Sequence, residues 1–451
     1  MSYHPVEAVR VLLWGREVGA VALDPASGAY VFEYTPAWAA GGLEFAPLTM
    51  PTSTRLHVFP TLPRGTFLGL PAAIADALPD AFGNALVEQW LATKGVDRSA
   101  ITPLDRLAYQ GRRGMGALEF KPVRGPHAEK ATAVELGQLV AAARAAAQGR
   151  LTDDVVSLRP LIRVGTSAGG ARAKAVVAWN PADGDLLSGQ VEAPPGYQHW
   201  LIKFDGVGRD TELGTGGNYG RIEQAYATMA RQAGIDMPPT RLLEEGGRAH
   251  FMVRRFDRAE DGAKLHLQSL CGLMGLDFNA IGVHAYEQLL QAVDLLGLGA
   301  AARAEVFRRA AFNVAAANCD DHTKNHAFLM MPDGAWSLAP AYDLTHAFNP
   351  AGRWTFQHLM SVNGKFGGIG RADLLAMADR FAVPGAAQVL YQVADAVGDW
   401  PRHAAAAGLD SATAAQVAAD FTTVTGDGYR GTGDGYRGTG DGYRGTGDGS
   451  V

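Results

Sequence analysis

Hydrophobic and polar residues alternate in the first stretch of the chain, from Val9 to Tyr34. The alternation breaks at Gly15 and Arg16 and again between Pro25 and Gly28, which is typical of strands joined by tight turns. After Pro79 the apolar residues recur at helical spacing instead. These patterns predict a β-meander followed by a helical patch.

The middle and the end of the chain mix both periodicities. An alanine-rich helix is predicted from Ala131 to Gly149, and two strands, LIRVG and AKAVVAW, then flank a loop of small residues. The segments GYQHWLIKFD, NYGRIEQAYATMARQAG and AHFMVRRFD follow as strand, helix and strand. His284 to Asn318 has the periodicity of helices, and two further amphipathic helices are predicted from Arg371 to Gly408. We therefore predict a β-rich part followed by a helical part.

The composition is that of a globular protein, with 451 residues, 47% hydrophobic and 19% charged. A formal net charge of −6 provides no basic field for nonspecific nucleic-acid binding, so any DNA contact is expected to be local or to come from a basic partner. Cys271 and Cys319 are too few for a disulfide scaffold and fit a reducing cytoplasm. No apolar run reaches the roughly 18 residues of a membrane helix. We expect a soluble, cytoplasmic protein without a membrane partner.

The segment NCDDHTKNHAFLM, from Asn318 to Met330, concentrates polar and charged side chains directly before an apolar strand. Asp320 and Asn325 have the spacing of the D-x-x-x-x-N loop of protein kinases, in which the aspartate is the catalytic base and the asparagine binds Mg²⁺. Asp343 follows after a strand and a turn. It is a second candidate Mg²⁺ ligand, because this ion prefers hard oxygen ligands.

Simpler interpretations exist for single residues of this segment. Asp321 could cap a turn, and Lys324 could pair with a carboxylate. His322 and His326 are spaced like zinc ligands on a helix, but the glutamate of HExxH is missing and the composition argues against a helix. The whole set favours the kinase-like interpretation.

A loop of small residues lies in VGTSAGGARAK. Small side chains let backbone amides approach phosphate oxygens closely, although a plain hairpin turn would have the same composition. Lys174 is not followed by Ser or Thr, so this is not a Walker A loop. A second glycine-rich stretch, GRRGMG, contains basic residues that could hold phosphate, but it favours a solvated turn.

Between these motifs, Lys203 is the one charge inside the strand HWLIKF, and a lysine in a buried strand needs a carboxylate or a phosphate beside it. Glu223 borders the apolar stripe of the next helix, where it would either reach Lys203 or stay solvated. VRRFD ends a strand and is a candidate hinge, with backbone groups near Arg254 and the ring of Phe256 facing adenine. Structural core is the alternative for Phe256.

The order of these features resembles that of the HipA-like toxin Ser/Thr kinases of bacterial toxin–antitoxin modules. Between Leu78 and Lys365, the resemblance rests on LPDAFGNALVEQWL, LDRLAYQGRRGMGALEF, TSAGGARAK, RRFDR, FNVAAANCDDHTKNHAFLM, LAPAYDLTHAFNP and WTFQHLMSVNGK. Arg254 stands where this family often has an acidic residue.

The resemblance implies an α+β, protein-kinase-like two-lobed fold with an added N-terminal β-rich subdomain and a mainly helical C-terminal lobe. The predicted units are residues 1–125, a β-rich subdomain of the type that contacts the antitoxin; 126–260, an N-lobe with the glycine-rich loop; and 261–424, a helical catalytic lobe. Residues 425–451 carry TGDGYRG repeats with too few apolar residues for a core, and we expect a disordered tail there.

The resemblance further implies an ATP- and Mg²⁺-dependent protein Ser/Thr kinase. Asp320 would be the catalytic base, Asn325 and Asp343 the Mg²⁺ ligands, Lys203 the ATP-phosphate lysine and Glu223 its support. Further ATP contacts are expected from Ser167, Ala168, Gly169, Gly170, Ala171, Arg254, Phe256, His322 and Lys324. Ser167 would also be the site of autophosphorylation.

As a type II toxin, such a protein would phosphorylate a translation component, such as an aminoacyl-tRNA synthetase. Its expected partner is a HipB-like helix-turn-helix antitoxin, through which alone operator DNA would be bound. Two alternatives remain: a kinase-fold phosphotransferase acting on a small-molecule alcohol, and a catalytically silent corepressor bound to the antitoxin. The intact set of Asp320, Asn325 and Asp343 argues against a silent protein.

Overall fold

A computed structural model describes residues 3–126, 133–147, 173–190, 192–207 and 217–426. Within these ranges the strands form two five-stranded antiparallel sheets, a three-stranded antiparallel sheet and a two-stranded parallel ladder. The first large sheet comes from the N-terminal third of the chain, and the second from its middle. Helices make up most of the rest. A cleft is lined by side chains from the N-terminal part, from the central sheet and from the C-terminal part of the chain.

The N-terminal sheet has the strand order β4-β3-β2-β1-β5. Its strands are β1 (Ala8–Leu13), β2 (Arg16–Asp24), β3 (Ala29–Tyr34), β4 (His57–Val58) and β5 (Leu118–Lys121). The predicted β-meander is therefore confirmed as β1 to β3, which pair in sequence order. Its connecting helices are α1 (Pro36–Ala39), α2 (Arg64–Phe67), α3 (Ala72–Ala75), α4 (Ala81–Ala92) and α5 (Pro103–Gln110).

Helix α4 begins where the sequence predicted a helix, after Pro79. The carboxylate of Asp80 accepts a hydrogen bond from the amide of Gly83 at 2.6 Å and caps its first turn. The side chains of Phe82 and Leu86 then pack into the core of the second large sheet rather than into the first. The predicted boundary at residue 125 stays a prediction, because α4 precedes it in sequence and packs beyond it.

The central sheet has the strand order β7-β6-β8-β10-β9. Its elements are α6 (Leu136–Ala147), β6 (Lys174–Trp179), β7 (Leu186–Ser188), β8 (Gln198–Lys203), α7 (Tyr219–Gln232), β9 (Thr240–Glu245) and β10 (Arg248–Arg254). The predicted strand–helix–strand order holds for β8, α7 and β10, but the sequence pattern missed β9. This edge strand is only half-buried along its length, so it lacks the alternation that marks β10.

The C-terminal part begins with a short strand and is mainly helical. Its elements are β11 (His266–Ser269), α8 (Leu270–Met274), β12 (His284–Ala285), α9 (Tyr286–Leu295), α10 (Gly299–Ala315), β13 (Ala327–Met330), β14 (Trp336–Leu338), β15 (Met360–Ser361), α11 (Arg371–Arg380), α12 (Ala386–Gly398), α13 (Trp400–Ala406) and α14 (Ser411–Ala418). Its large core is built around the buried rings of Tyr226, Phe307, Phe312 and Trp400.

The prediction of two helices between Arg371 and Gly408 is wrong, because the structure has three there, α11 to α13. Ala382 and Gly385 adopt positive φ angles of 48° and 63° between α11 and α12. Pro401 lies in the first turn of α13, a position that proline favours because its missing N–H is not needed there. A pattern of apolar spacing continues across such breaks and does not reveal them.

A buried carboxylate, that of Asp257, joins the N-terminal part of the chain to the loop after β10. Asp257 is fully buried and accepts hydrogen bonds from Arg255 Nε at 2.9 Å, from Arg258 Nη1 at 2.9 Å and from the amide of Gly116 at 2.6 Å. The two guanidinium groups keep the pKa of Asp257 below its usual range even though burial alone would raise it. This Asp257 cluster ties the loop before β5 to the loop after β10.

The structure corrects the prediction of a solvated turn at GRRGMG. Gly114 and Gly116 are buried, and Gly116 has a φ of 73°. A Cβ atom at Gly116 would lie 2.9 Å from the amide nitrogen of Leu267, so a side chain there would push the loop off β11. The glycines of this loop thus permit a close approach between two parts of the chain.

We predict that Asp257→Ala destabilises the protein by about 3–5 kcal/mol, because it leaves two guanidinium groups buried without their shared partner. Urea denaturation provides the free energy of unfolding. Glu260→Ala is the matched control, since the side chain of Glu260 is 94% exposed and lies 3.9 Å from Arg254. Equal stability of the two variants would contradict the role of the cluster.

Candidate active site

Lys203, at the end of β8, lies on the floor of the cleft. Its Nζ donates to Glu223 Oε1 at 2.5 Å and also contacts the carboxylate of Asp343. Cross-strand pairing places Lys203 between Lys174 of β6 and Phe251 of β10. Its side chain is 12% exposed and that of Glu223 is 4% exposed. The central sheet, α7 and the segment after β14 therefore hold one ammonium group against two carboxylates in a largely buried setting.

Asp343 follows β14 and has a φ of 54°, in the left-handed region, which aspartate adopts more readily than most residues other than glycine. The preceding Tyr342 donates its hydroxyl to the carbonyl of Lys324 at 2.7 Å. This bond holds the segment after β14 against the loop that carries Asn325, and the Asp343 carboxylate contacts Lys203 from there.

Asp320 and Asn325 are joined within their own loop. Asn325 Nδ2 donates to the backbone carbonyl of Asp320 at 2.7 Å, and a short 3-10 turn, Thr323–Asn325, makes the connection. The amide oxygen of Asn325 remains available to a cation once its nitrogen is engaged in this way. The prediction that this segment is not an α-helix agrees with the turn.

Asp321 has a different environment from Asp320. It is 1% exposed, and its carboxylate accepts bonds from Tyr286 Oη at 2.8 Å, His358 Nδ1 at 2.9 Å and the amide of Leu359 at 2.7 Å. Burial lowers the pKa of His358, but the Asp321 carboxylate and its hydrogen bond outweigh burial and raise this pKa to about 10. Asp321 therefore does more than cap a turn, because it forms a buried ion pair.

The other predicted residues lie around the cleft in different ways. The ring of Phe256 faces that of Tyr342 with their centroids 5.7 Å apart, and both residues line the cleft together with Arg254 and Lys324. The backbone amide of Arg254 is already bonded to the carbonyl of Pro239 at 2.9 Å, so it is not available to adenine as a donor without opening the sheet edge.

His322 packs between two rings, those of Phe278 at 5.4 Å and Trp354 at 6.1 Å, and burial lowers its pKa. Its place among the ATP contacts stays a prediction. The ring of His326 packs against Tyr286 at 5.5 Å. In the described ranges, no three His, Cys, Asp or Glu side chains come close enough to form a metal-binding group of that kind.

The predicted phosphate loop, Ser167 to Ala171, lies outside the described residues, as does the strand predicted before it. Its role and the autophosphorylation of Ser167 therefore stay predictions.

Sequence reasoning did not select several residues that line the cleft. Lys174 lies beside Lys203 in the sheet, and its Nζ is 3.6 Å from Asp80 Oδ2 in a pair whose side chains are 3% and 4% exposed. Asp76 and Met115 reach the cleft from the N-terminal part. A lone charge in a buried strand identified Lys203 and would have identified Lys174 as well. No such local signal marks Asp76 or Met115.

Two protein-family models match this chain. A family model described as the HipA-like C-terminal domain matches residues 166–415, and a model described as the HipA N-terminal domain matches residues 9–121. The chain belongs to the HipA-like family. A "Putative kinase" of Haemophilus influenzae is 28% identical over 136 residues, which cover 27% of this HipA-like chain. The match spans 40% of that relative's length.

Among solved structures, HipA of Shewanella oneidensis MR-1, in a complex with HipB and operator DNA, superposes with a TM-score of 0.62 at 16% identity. The match covers 91% of this HipA-like chain and 94% of that one, and it confirms the α+β, kinase-like fold with its N-terminal β-rich part. The Helicobacter pylori proinflammatory kinase CtkA matches 50% of this chain and 88% of its own, with a TM-score of 0.31 and 11% identity. Every helix in the described part of the HipA-like chain is too short or too polar to cross a membrane.

The ion pair between His358 and Asp321 predicts a pH-dependent stability. The pKa of His358 is raised from 6.5 to about 10 in the folded protein, so its contribution is complete below pH 6.5 and is lost as the pH rises through 10. We expect His358→Gln to lower the free energy of unfolding by a few kcal/mol at pH 6 and by much less near pH 10. Urea denaturation of both proteins across this range measures the difference, and a constant difference would contradict the ion pair.

Proposed function

We propose that this HipA-like chain is an ATP- and Mg²⁺-dependent protein Ser/Thr kinase that acts as the toxin of a type II toxin–antitoxin module. The observation that carries the proposal is the contact of Lys203 with both Glu223 and Asp343, beside the loop in which Asn325 holds Asp320. Kinases place a lysine–glutamate pair, a metal-binding aspartate and a D-x-x-x-x-N loop around the phosphates of ATP in this same arrangement.

Each side chain would have a distinct task in the transfer. Lys203, held by Glu223, would bind the phosphates of ATP. Asp320 would accept the proton of the substrate hydroxyl while its oxygen forms a bond to the γ-phosphorus and the bond from that phosphorus to the β–γ bridging oxygen breaks. ADP and a phosphorylated Ser or Thr would result.

Asn325 and Asp343 fit a Mg²⁺ site by the chemistry of their atoms. One offers an amide oxygen and the other a carboxylate, and Mg²⁺ is commonly held by one or two such oxygens together with substrate phosphates. When bound, the ion neutralises negative charge on the phosphates during transfer. Lys203 contacts the same carboxylate of Asp343, so phosphate and metal sites would be adjacent.

The proposed partners follow from the family and from the charge of the chain. The structure of Shewanella HipA contains HipB and operator DNA, and a chain with net charge −6 would reach DNA through a basic partner of this kind. We therefore propose a HipB-like helix-turn-helix antitoxin as partner. The proposed substrate is a translation component such as an aminoacyl-tRNA synthetase, and Ser167 is the proposed site of autophosphorylation.

Asp320→Asn is predicted to reduce phosphate transfer by at least about 100-fold, the usual contribution of a positioned general base, and to abolish growth arrest. Binding of ATP is expected to be retained, because Lys203 and Glu223 are untouched. Asp333→Asn serves as the control, since Asp333 is an exposed residue of the turn between β13 and β14. The measurement is transfer of radiolabel from γ-labelled ATP, and transfer at the wild-type rate by the Asp320 variant would overturn the proposed base.

A second prediction concerns the acceptor of the phosphoryl group. After incubation of the wild-type chain with labelled ATP and an extract of its host, we expect the label on Ser or Thr of a protein, and we expect EDTA to abolish it. Phosphoproteomics after brief expression, compared with Asp320→Asn, would identify the acceptor. Label recovered in a small-molecule alcohol would favour a metabolite phosphotransferase instead.

A further inference from the structure

Two adjacent aspartates of the catalytic loop have different environments. The side chain of Asp320 is 38% exposed, whereas that of Asp321 is fully buried. The backbone here forms neither a helix nor a strand, so local hydrogen bonding does not determine which way the Asp320 carboxylate points. Some other part of the chain must hold it, because a mobile base loses the advantage of a fixed geometry.

The indole of Trp354 contacts the Asp320 carboxylate directly. Trp354 Nε1 donates a hydrogen bond to Asp320 Oδ1 at 2.6 Å. His322 lies near the same oxygen, with its Nε2 3.6 Å away, which is too long for a hydrogen bond. Trp354 is therefore the donor that orients this oxygen.

The segment that carries Trp354 is itself fixed to the catalytic loop. Four residues further along, His358 forms its ion pair with Asp321, and the amide of Leu359 donates to the same carboxylate at 2.7 Å. The next residue, Met360, begins β15, which pairs with β12 at His284. One short segment thus hydrogen-bonds to both aspartates. The Trp354 indole bonds to Asp320, and the His358 imidazole and the Leu359 amide bond to Asp321.

We propose that residues 354–360 form a brace that orients the catalytic base, with Trp354 as the positioning residue for Asp320. This inference rests on the proposed kinase activity and adds to it a residue outside the D-x-x-x-x-N loop. The brace leaves the second oxygen of the Asp320 carboxylate to the substrate hydroxyl. Trp354 acts through Asp320 and is not assigned any contact with ATP.

The kinetic test compares two substitutions that distinguish the contribution of the indole N–H from that of the aromatic ring. Trp354→Phe keeps an aromatic ring but removes the donor, and we expect it to lower kcat about 10- to 100-fold while leaving KM for ATP unchanged. Trp354→Ala should cost about the same in kcat. If the ring serves only to pack against His322, Trp354→Phe will retain the wild-type kcat, and this result would overturn the proposal.

Trp400→Phe is the matched control. Its indole also donates a hydrogen bond, from Nε1 to the carbonyl of Ala414 at 2.9 Å, but it lies in the helical core away from the catalytic loop. We expect it to lower the thermal midpoint of unfolding and to leave kcat of the folded protein unchanged. A similar fall in kcat for both tryptophan variants would mean that general destabilisation, and not the brace, explains the loss.

A second measurement tests the contact without relying on activity. In a proton–nitrogen NMR spectrum, the indole N–H signal assigned by its disappearance in Trp354→Phe should shift when Asp320 is changed to Ala, while the Trp400 signal should not. An unmoved Trp354 signal would refute the contact even if the kinase is active. If the wild-type chain transfers no phosphate, the proposed kinase function fails, and the indole signal still decides whether Trp354 holds Asp320.

Discussion

The junction between the N-terminal part and the central sheet depends on the Asp257 carboxylate, which forms ion pairs with two largely buried guanidinium groups, those of Arg255 and Arg258. Moving three charges out of water is costly, so such a cluster persists only when its hydrogen bonds are nearly complete. The amide of Gly116 completes them from the N-terminal part of the chain. These bonds consequently place the loop before β5 against the loop after β10, in addition to any stability that they provide.

The Asp257 cluster also influences the cleft. The loop whose Gly116 amide bonds to Asp257 carries Met115, which lines the cleft. Met115 lines the cleft opposite residues of the central sheet, and Phe256 lies between the two arginine-bearing positions of the cluster. The N-terminal part is therefore a wall of the same cleft that contains Lys203 and Asp343. Residues of both family domains therefore line this cleft.

The sequence was informative where a charge conflicts with its surroundings. Lys203 was predictable because a lysine in an apolar strand needs a partner, and the structure places Glu223 and Asp343 beside it. The D-x-x-x-x-N spacing likewise identified a loop in which Asn325 donates a hydrogen bond to the backbone carbonyl of Asp320. The meander of β1 to β3 followed from the alternation together with the two turns that break it.

The remaining features depend on contacts between distant residues, which periodicity does not encode. Trp354 is 34 positions from Asp320, and nothing around either residue in the sequence indicates that they meet. The pair of Asp80 and Lys174 spans the boundary between two predicted units. The same limit explains the error at GRRGMG, where glycines that suggested an exposed turn instead allow a buried contact with β11.

The last described residues show how the repeats are attached. Val424 and Thr425 are fully buried, the amide of Thr422 donates to the carbonyl of Ala315 at 2.9 Å, and the ring of Phe421 packs 5.6 Å from that of Trp400. The attachment point therefore belongs to the helical core. Each TGDGYRG unit contains one aspartate and one arginine, so gain or loss of a unit leaves the net charge unchanged.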